Sequence, residues 1–279
     1  MGTKPTWEPI GAGLLARLLT ISIVKARDQR CFRWIWKPSA GLLSVFGMCV
    51  KVKPYQHLGE AHAMQFVAQH TSLPVPKVHC AFVHDGKSYI VMSRLPGQMA
   101  WVGWQNRSRE SRDRILDQLQ RMLTELRSVC PPAGIHGVAG VDGGCFCDCR
   151  LPTKTIWGPF PTARCFHEAL ANGADLDIEY EGLPPDVSSL FEFYRGYGNQ
   201  VVLTHGDLSS LNILVRQDEV VGIVDWDTAG WFPPYWEYVC AKNVNPHNTF
   251  WSAEVDRFLT PLPHELEMDG IRRKHFGDF

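Results

Sequence analysis

The 279-residue chain predicts an α+β fold of two unequal lobes: a small β-rich lobe over residues 1–95 and a larger, mainly helical lobe over residues 96–279. Three observations carry this. Short apolar, strand-like runs crowd the first third, with one helical stretch among them. The Pro96-Gly97-Gln98 punctuation closes that layer. Beyond it comes the first long amphipathic helix.

In the first lobe, "GLLSVFGMCVKV" (41–52) reads as strand, with Gly41 and Gly47 as punctuation. "GEAHAMQFVAQH" (59–70) has Ala61, Met64, Val67 and Ala68 at helical spacing. Pro74 and Pro76 forbid its continuation, because each removes a donor and forces an extended neighbour. "CAFVHDGKSYIVMSRL" (80–95) reads as a hairpin turning at Asp85-Gly86.

The second lobe opens with a helix from about Glu110 to Val129, with Ile115, Leu119, Met122, Leu123 and Leu126 on one stripe. Residues 132–163 are rich in Gly, Pro and Cys and read mostly as loop. Weak helical segments follow near Ala163–Ala171 and Ser188–Tyr194. The acidic run Asp175, Asp177, Glu179 and Glu181 reads first as solvated surface, and second as a wall that attracts a cationic substrate.

Composition excludes several classes. A formal net charge of -1 argues against nucleic acid and anionic membranes, which favour basic surfaces. Arg17 interrupts the apolar patch between Gly11 and Val24, so neither a membrane span nor a signal peptide is expected. Gly2 and Thr6 match only the short myristoylation pattern. Nine cysteines without small-scaffold spacing suit reduced thiols and a cytoplasmic setting. Cys145, Cys147 and Cys149 lack the paired spacing of a structural zinc site.

The chemistry concentrates in "LTHGDLSSLNILVRQDEVVGIVDWD" (203–227). Ile213–Val215 and Val220–Val224 form two β-type runs around a polar turn at 217–219. Antiparallel pairing brings Asn212 beside Val224 and Asp225 at the open end. Asp207 lies five residues before Asn212, and His205 two before Asp207. Oxygen donors of this kind suit Mg²⁺, which takes one or two carboxylates and shares phosphates with a substrate. A further carboxylate nearby can serve as a base toward a hydroxyl.

"HGDLSSLNILV" followed by "GIVDWDTAGWFPPYWEY" resembles the aminoglycoside phosphotransferase and choline kinase group, which has a protein-kinase-like fold. The likeness is strongest to fungal phosphotransferase-family proteins and covers most of the chain, including "EAHAMQFVAQHTSLPVPKV" and "YIVMSRLPGQ". The resemblance implies a small-molecule kinase using ATP and Mg²⁺. It makes Asp207 the base and has His205 brace its loop. It gives the metal to Asn212 and Asp225, with Asp227 as a further acidic position. It has Lys51 pair with Glu60 and phosphate. Lys53 is its rival, since both lie on one strand face. The backbone from Ser93 to Leu95 is expected against adenine, and Ser209 or Ser210 at the substrate. Trp226, Trp231, Tyr235 and Trp236 offer either lobe packing or an aromatic wall; with the acidic run they lean toward an amine-bearing substrate. "GLLSVFG" departs from a GxGxxG loop. That departure favours one alternative, the fold turned to a non-ATP reaction in secondary metabolism; a non-catalytic pseudokinase is the other alternative reading.

Overall fold

The computed structural model describes residues 8–28, 42–45, 47–148, 151, 156–243 and 249–277. Gly2, Thr6, Gly41, Phe46 and Cys149 lie outside these residues.

The first lobe is a four-stranded antiparallel sheet with a helix on each face. Helix α1 (Leu14–Asp28) precedes strands β1 (Leu42–Val45) and β2 (Met48–Lys53); α2 (Gly59–His70), β3 (Val78–His84) and β4 (Lys87–Ser93) follow, in sheet order β1-β2-β4-β3. Asp85 and Gly86 both take positive φ, which the tight β3–β4 turn requires. Burial on both faces explains why "SYIVM" does not alternate. Tyr89 and Val91 pack with Val50 and Phe82 toward the α1 side, where Ala16, Ile21 and Val24 cover them. Ile90 and Met92 share the main core with Ala61, Met64 and Val67 of α2. The sequence reading gave this lobe one helix and missed α1. Leu14, Leu15, Leu18 and Leu19 are exposed, so the apolar residues of that helix mark no single buried stripe.

The second lobe begins with a short strand, β5 (Gln98–Met99), and the 20-residue helix α3 (Arg109–Ser128). Ser108 caps α3, its hydroxyl accepting the Ser111 amide, and Ile115, Leu116, Leu119, Leu123 and Leu126 are buried. The region read as loop holds three two-residue strands, β6 (Ala139–Gly140), β7 (Phe146–Cys147) and β8 (Ile156–Trp157). Helices α4 (Ala163–Leu170) and α5 (Pro185–Gly196) follow, then strand β9 (Val202–Thr204) and the hairpin strands β10 (Ile213–Arg216) and β11 (Glu219–Ile223). Strand β12 (Gly230–Phe232) and helices α6 (Trp236–Asn243), α7 (Thr249–Phe258) and α8 (Pro263–Phe276) complete the described chain.

Helix α3 pins the hairpin turn. Ser111 Oγ donates to Asp218 Oδ1 at 2.6 Å, Gln118 Nε2 donates to the Asp218 carbonyl at 2.7 Å, and Arg107 and Arg114 pair with the same carboxylate. Trp226, Trp231, Tyr235 and Trp236 are all buried in the core, so they form no substrate wall. The acidic run is solvent-exposed, and Asp177 pairs with Arg164. Among the described residues no helix is long and apolar enough to cross a membrane.

Candidate active site

The hairpin pairs Ile213 with Ile223, and the Val224 amide donates to the Asn212 carbonyl at 2.9 Å. That bond sets Asn212 beside Asp225 at the open end, as the antiparallel reading expects. Asn212 Nδ2 donates to both the carbonyl and Oδ2 of Asp207, each at 2.9 Å. With its nitrogen spent on Asp207, Asn212 keeps its amide oxygen as a lone-pair donor.

The loop ahead of Asn212 is held from beneath. His205 Nδ1 accepts the Asp207 amide at 3.1 Å, and Nε2 faces the Val224 carbonyl at 3.0 Å. The two contacts assign the proton to Nε2, which donates to Val224. Gly206 takes φ +79°, and an added Cβ there would stand 2.9 Å from the Thr228 carbonyl. Glu237 also fixes this loop, and the sequence reading gave it no role. Its carboxylate accepts the His205 amide at 2.6 Å and the Gly206 amide at 2.9 Å, in full burial. The available signal was a lone acid inside the apolar stretch "YWEYVCA", since a buried charge demands partners.

The first lobe delivers two lysines, not one. Lys51 Nζ lies 2.9 Å from Glu60 Oε1 and 2.6 Å from Asp225 Oδ1. Lys53 Nζ lies 2.5 Å from Glu60 Oε2 and 2.6 Å from Asp227 Oδ1. Tyr55, also unassigned from sequence, donates its hydroxyl to Asp227 Oδ2 at 2.7 Å. Burial alone would lower the Lys51 pKa, but Glu60 and Asp225 outweigh it and hold the ammonium above its ordinary range. Burial, aided by Asp227, raises the Tyr55 phenol far above its ordinary value, so it stays a donor. The Cys147 thiol is pushed up to about 12 by burial and then by Asp227, which leaves it protonated and unreactive. Cys145 donates its thiol to the Gly158 carbonyl at 2.9 Å.

Other expected positions sit differently. The Ser93 amide donates to Lys77 O, its hydroxyl meets His79 Nε2 at 2.8 Å, and the Arg94 amide donates to Gly47 O. The Ser93 amide is therefore committed within the lobe. Leu95 is half-buried beside Gly222. Ser209 and Ser210 are buried, and Ser209 Oγ accepts the Leu211 amide, so neither hydroxyl faces an open substrate site. Among the described residues no three His, Cys, Asp or Glu side chains form a preformed metal cage. Asp225 and the Asn212 amide oxygen still make an oxygen donor pair of the kind Mg²⁺ accepts when phosphates complete its shell.

Residues 51–268 match the phosphotransferase enzyme family, abbreviated APH. The chain is 23% identical over 158 residues to an aminoglycoside 3'-phosphotransferase of Niallia circulans, spanning 57% of this chain and about half, 53%, of that protein. Its fold is similar to the crystal structure of aminoglycoside phosphotransferase APH(4)-Ia, with a TM-score of 0.61, 16% identity and coverage of 92% and 88% of the two chains. It is also similar to a thermostable mutant of that enzyme in ternary complex with AMP-PNP and hygromycin B (TM-score 0.58, 16% identity, 83% and 78% covered). A third likeness is to the streptomycin–ATP–APH(2")-IIa ternary complex (TM-score 0.53, 12% identity, 93% and 87% covered). The chain belongs to the phosphotransferase enzyme family and has its protein-kinase-like fold.

Proposed function

We propose that the chain is a small-molecule kinase that transfers the γ-phosphoryl group of ATP to a hydroxyl of an amine-bearing metabolite. One observation carries this reading: Lys51 spans Glu60 of the first lobe and Asp225 of the second, at the hairpin end that also holds Asp207 and Asn212. Phosphoryl transfer needs positioning and charge neutralisation more than covalent chemistry, and this set supplies both.

Asp207 accepts the proton of the acceptor hydroxyl, or orients that hydroxyl, while Asn212 holds one of its oxygens. Asn212 and Asp225 hold Mg²⁺, which when bound neutralises charge developing on the phosphates. Asp227, expected with them, has Lys53 on one oxygen and Tyr55 on the other, so the proposed metal set is Asn212 and Asp225. Lys51 leaves Asp225 to meet phosphate and keeps Glu60 as its anchor. Residues of the two lobes, 1–95 and 96–279, would hold the nucleotide between them, and Leu95 would be available to its base. The amine-bearing acceptor rests on the hygromycin B and streptomycin complexes of the structural relatives and on exposed Asp175, Glu179 and Glu181.

The test is thermal denaturation with AMP-PNP, with and without Mg²⁺, followed by phosphoryl-transfer assays on amine-bearing alcohols. Mg²⁺-dependent stabilisation is expected, and Asp207→Asn should keep it while losing at least about 100-fold in transfer rate. No stabilisation by any Mg²⁺-nucleotide would sink the kinase reading and favour a non-ATP reaction.

A further inference from the structure

Two parallel bridges join the lobes, and they differ in burial. In the outer bridge, the Lys51 and Asp225 side chains are 23% and 44% exposed. In the inner bridge, Lys53 and Asp227 are 6% and 18% exposed. Glu60 is buried between them and gives one oxygen to each lysine. Tyr55 closes the inner bridge by occupying the other oxygen of Asp227. The Lys51 contacts are aligned hydrogen bonds, whereas Lys53 meets Glu60 and Asp227 as close ion pairs without hydrogen-bond alignment. The inner bridge therefore holds through charge, which drier surroundings screen less from water and salt. Five charged groups make up the set. Without Lys53, three carboxylates would compete for Lys51 alone.

We propose that Lys53 is a positioning residue: it holds Asp227 and one oxygen of Glu60 as a lasting bridge, so that Asp225, two residues away, can exchange Lys51 for a nucleotide-bound divalent cation without the turn shifting. This role rests on the kinase reading. The outer bridge opens when nucleotide arrives, and the inner one stays closed. Lys53 touches neither phosphate nor metal. Its loss acts through Lys51, which the unpaired carboxylates would draw away from phosphate.

The experiment compares AMP-PNP affinity in Mg²⁺ and in EDTA by titration calorimetry. The readout is the ratio of the two, the Mg²⁺-dependent gain. In Lys53→Met and in Asp227→Asn that gain should fall at least tenfold. Lys53→Arg should recover most of it, and adding Asp227→Asn to Lys53→Met should recover part, because it removes the unpaired carboxylate. Lys51→Met should instead lose affinity with and without Mg²⁺. A gain unchanged within twofold in Lys53→Met and Asp227→Asn, whatever their melting temperatures, overturns the positioning role and leaves the kinase reading standing. Absence of any gain in the unmodified protein overturns the kinase reading, and this role with it. A double-mutant cycle in urea on the ligand-free chain provides a second check. Coupling between Lys53 and Asp227 should exceed that between Lys51 and Asp225; equal or weaker coupling rejects the inner bridge.

Discussion

Glu237 holds two backbone N–H groups in a place where water cannot replace it. Truncation to Ala would leave both donors buried and unmet, at about 1–3 kcal/mol each. We expect Glu237→Ala to lose about 2–6 kcal/mol in urea denaturation, and Glu237→Gln, which keeps one acceptor, to lose less. A loss below about 1 kcal/mol would mean that the His205–Asp207 turn holds its shape without this carboxylate. At the same scale, Asp225 is the exposed acid that Lys51 occupies without ligand. Asp225→Ala should abolish the Mg²⁺-dependent part of nucleotide binding. Unchanged affinity for AMP-PNP with Mg²⁺ present would remove Asp225 from the proposed metal set.

At the scale of the helices, we expect a buried histidine to weaken the fold in acid. His167 of α4 is fully buried, stacked on Tyr194 of α5 at 4.2 Å, with Nε2 2.9 Å from the Tyr235 hydroxyl. Burial lowers its pKa to about 3. The unfolded chain would take up that proton near pH 6.5, whereas the folded chain resists it to about pH 3. Its contribution is therefore complete above about pH 6.5 and declines as pH falls toward 3, by up to about 1.4 kcal/mol per unit. Burial also depresses His57, against an opposing pull from Asp227, so it adds a loss of the same sign. His167→Phe should flatten this limb, losing about 2 kcal/mol less than the unmodified chain between pH 6.5 and 4.5. Parallel pH profiles in urea titrations would assign the acid sensitivity elsewhere.

Across the whole molecule, the site exists only where two lobes meet. Lys51, Lys53, Tyr55 and Glu60 come from one, and Asp207, Asn212, Asp225 and Asp227 from the other. A ligand bridging them stabilises the folded state by about 2.7 kcal/mol at a hundredfold excess over its Kd. We expect this shift in the melting temperature with Mg²⁺-AMP-PNP, and a much smaller one for Lys51→Met at the same concentration. An equal shift in that variant would remove Lys51 from the phosphate contacts.

Short-range spacing carries what the sequence determined alone. The hairpin around Asp218, the register that sets Asn212 beside Val224, and the Asp85-Gly86 turn follow from residues close along the chain. So does the placing of Lys51 and Lys53 on one strand face, because side chains alternate along a strand. The tertiary structure decided the rest, through contacts between distant residues. Lys51 meets Asp225 across 174 positions and Tyr55 meets Asp227 across 172. No local pattern could divide Glu60 between two lysines or fill both oxygens of Asp227. The aromatic residues after Asp225 have the composition of a substrate wall, and only packing shows them sealed in the core. Helix α1 shows the same limit: its apolar residues acquire a buried side only once the sheet is there to cover.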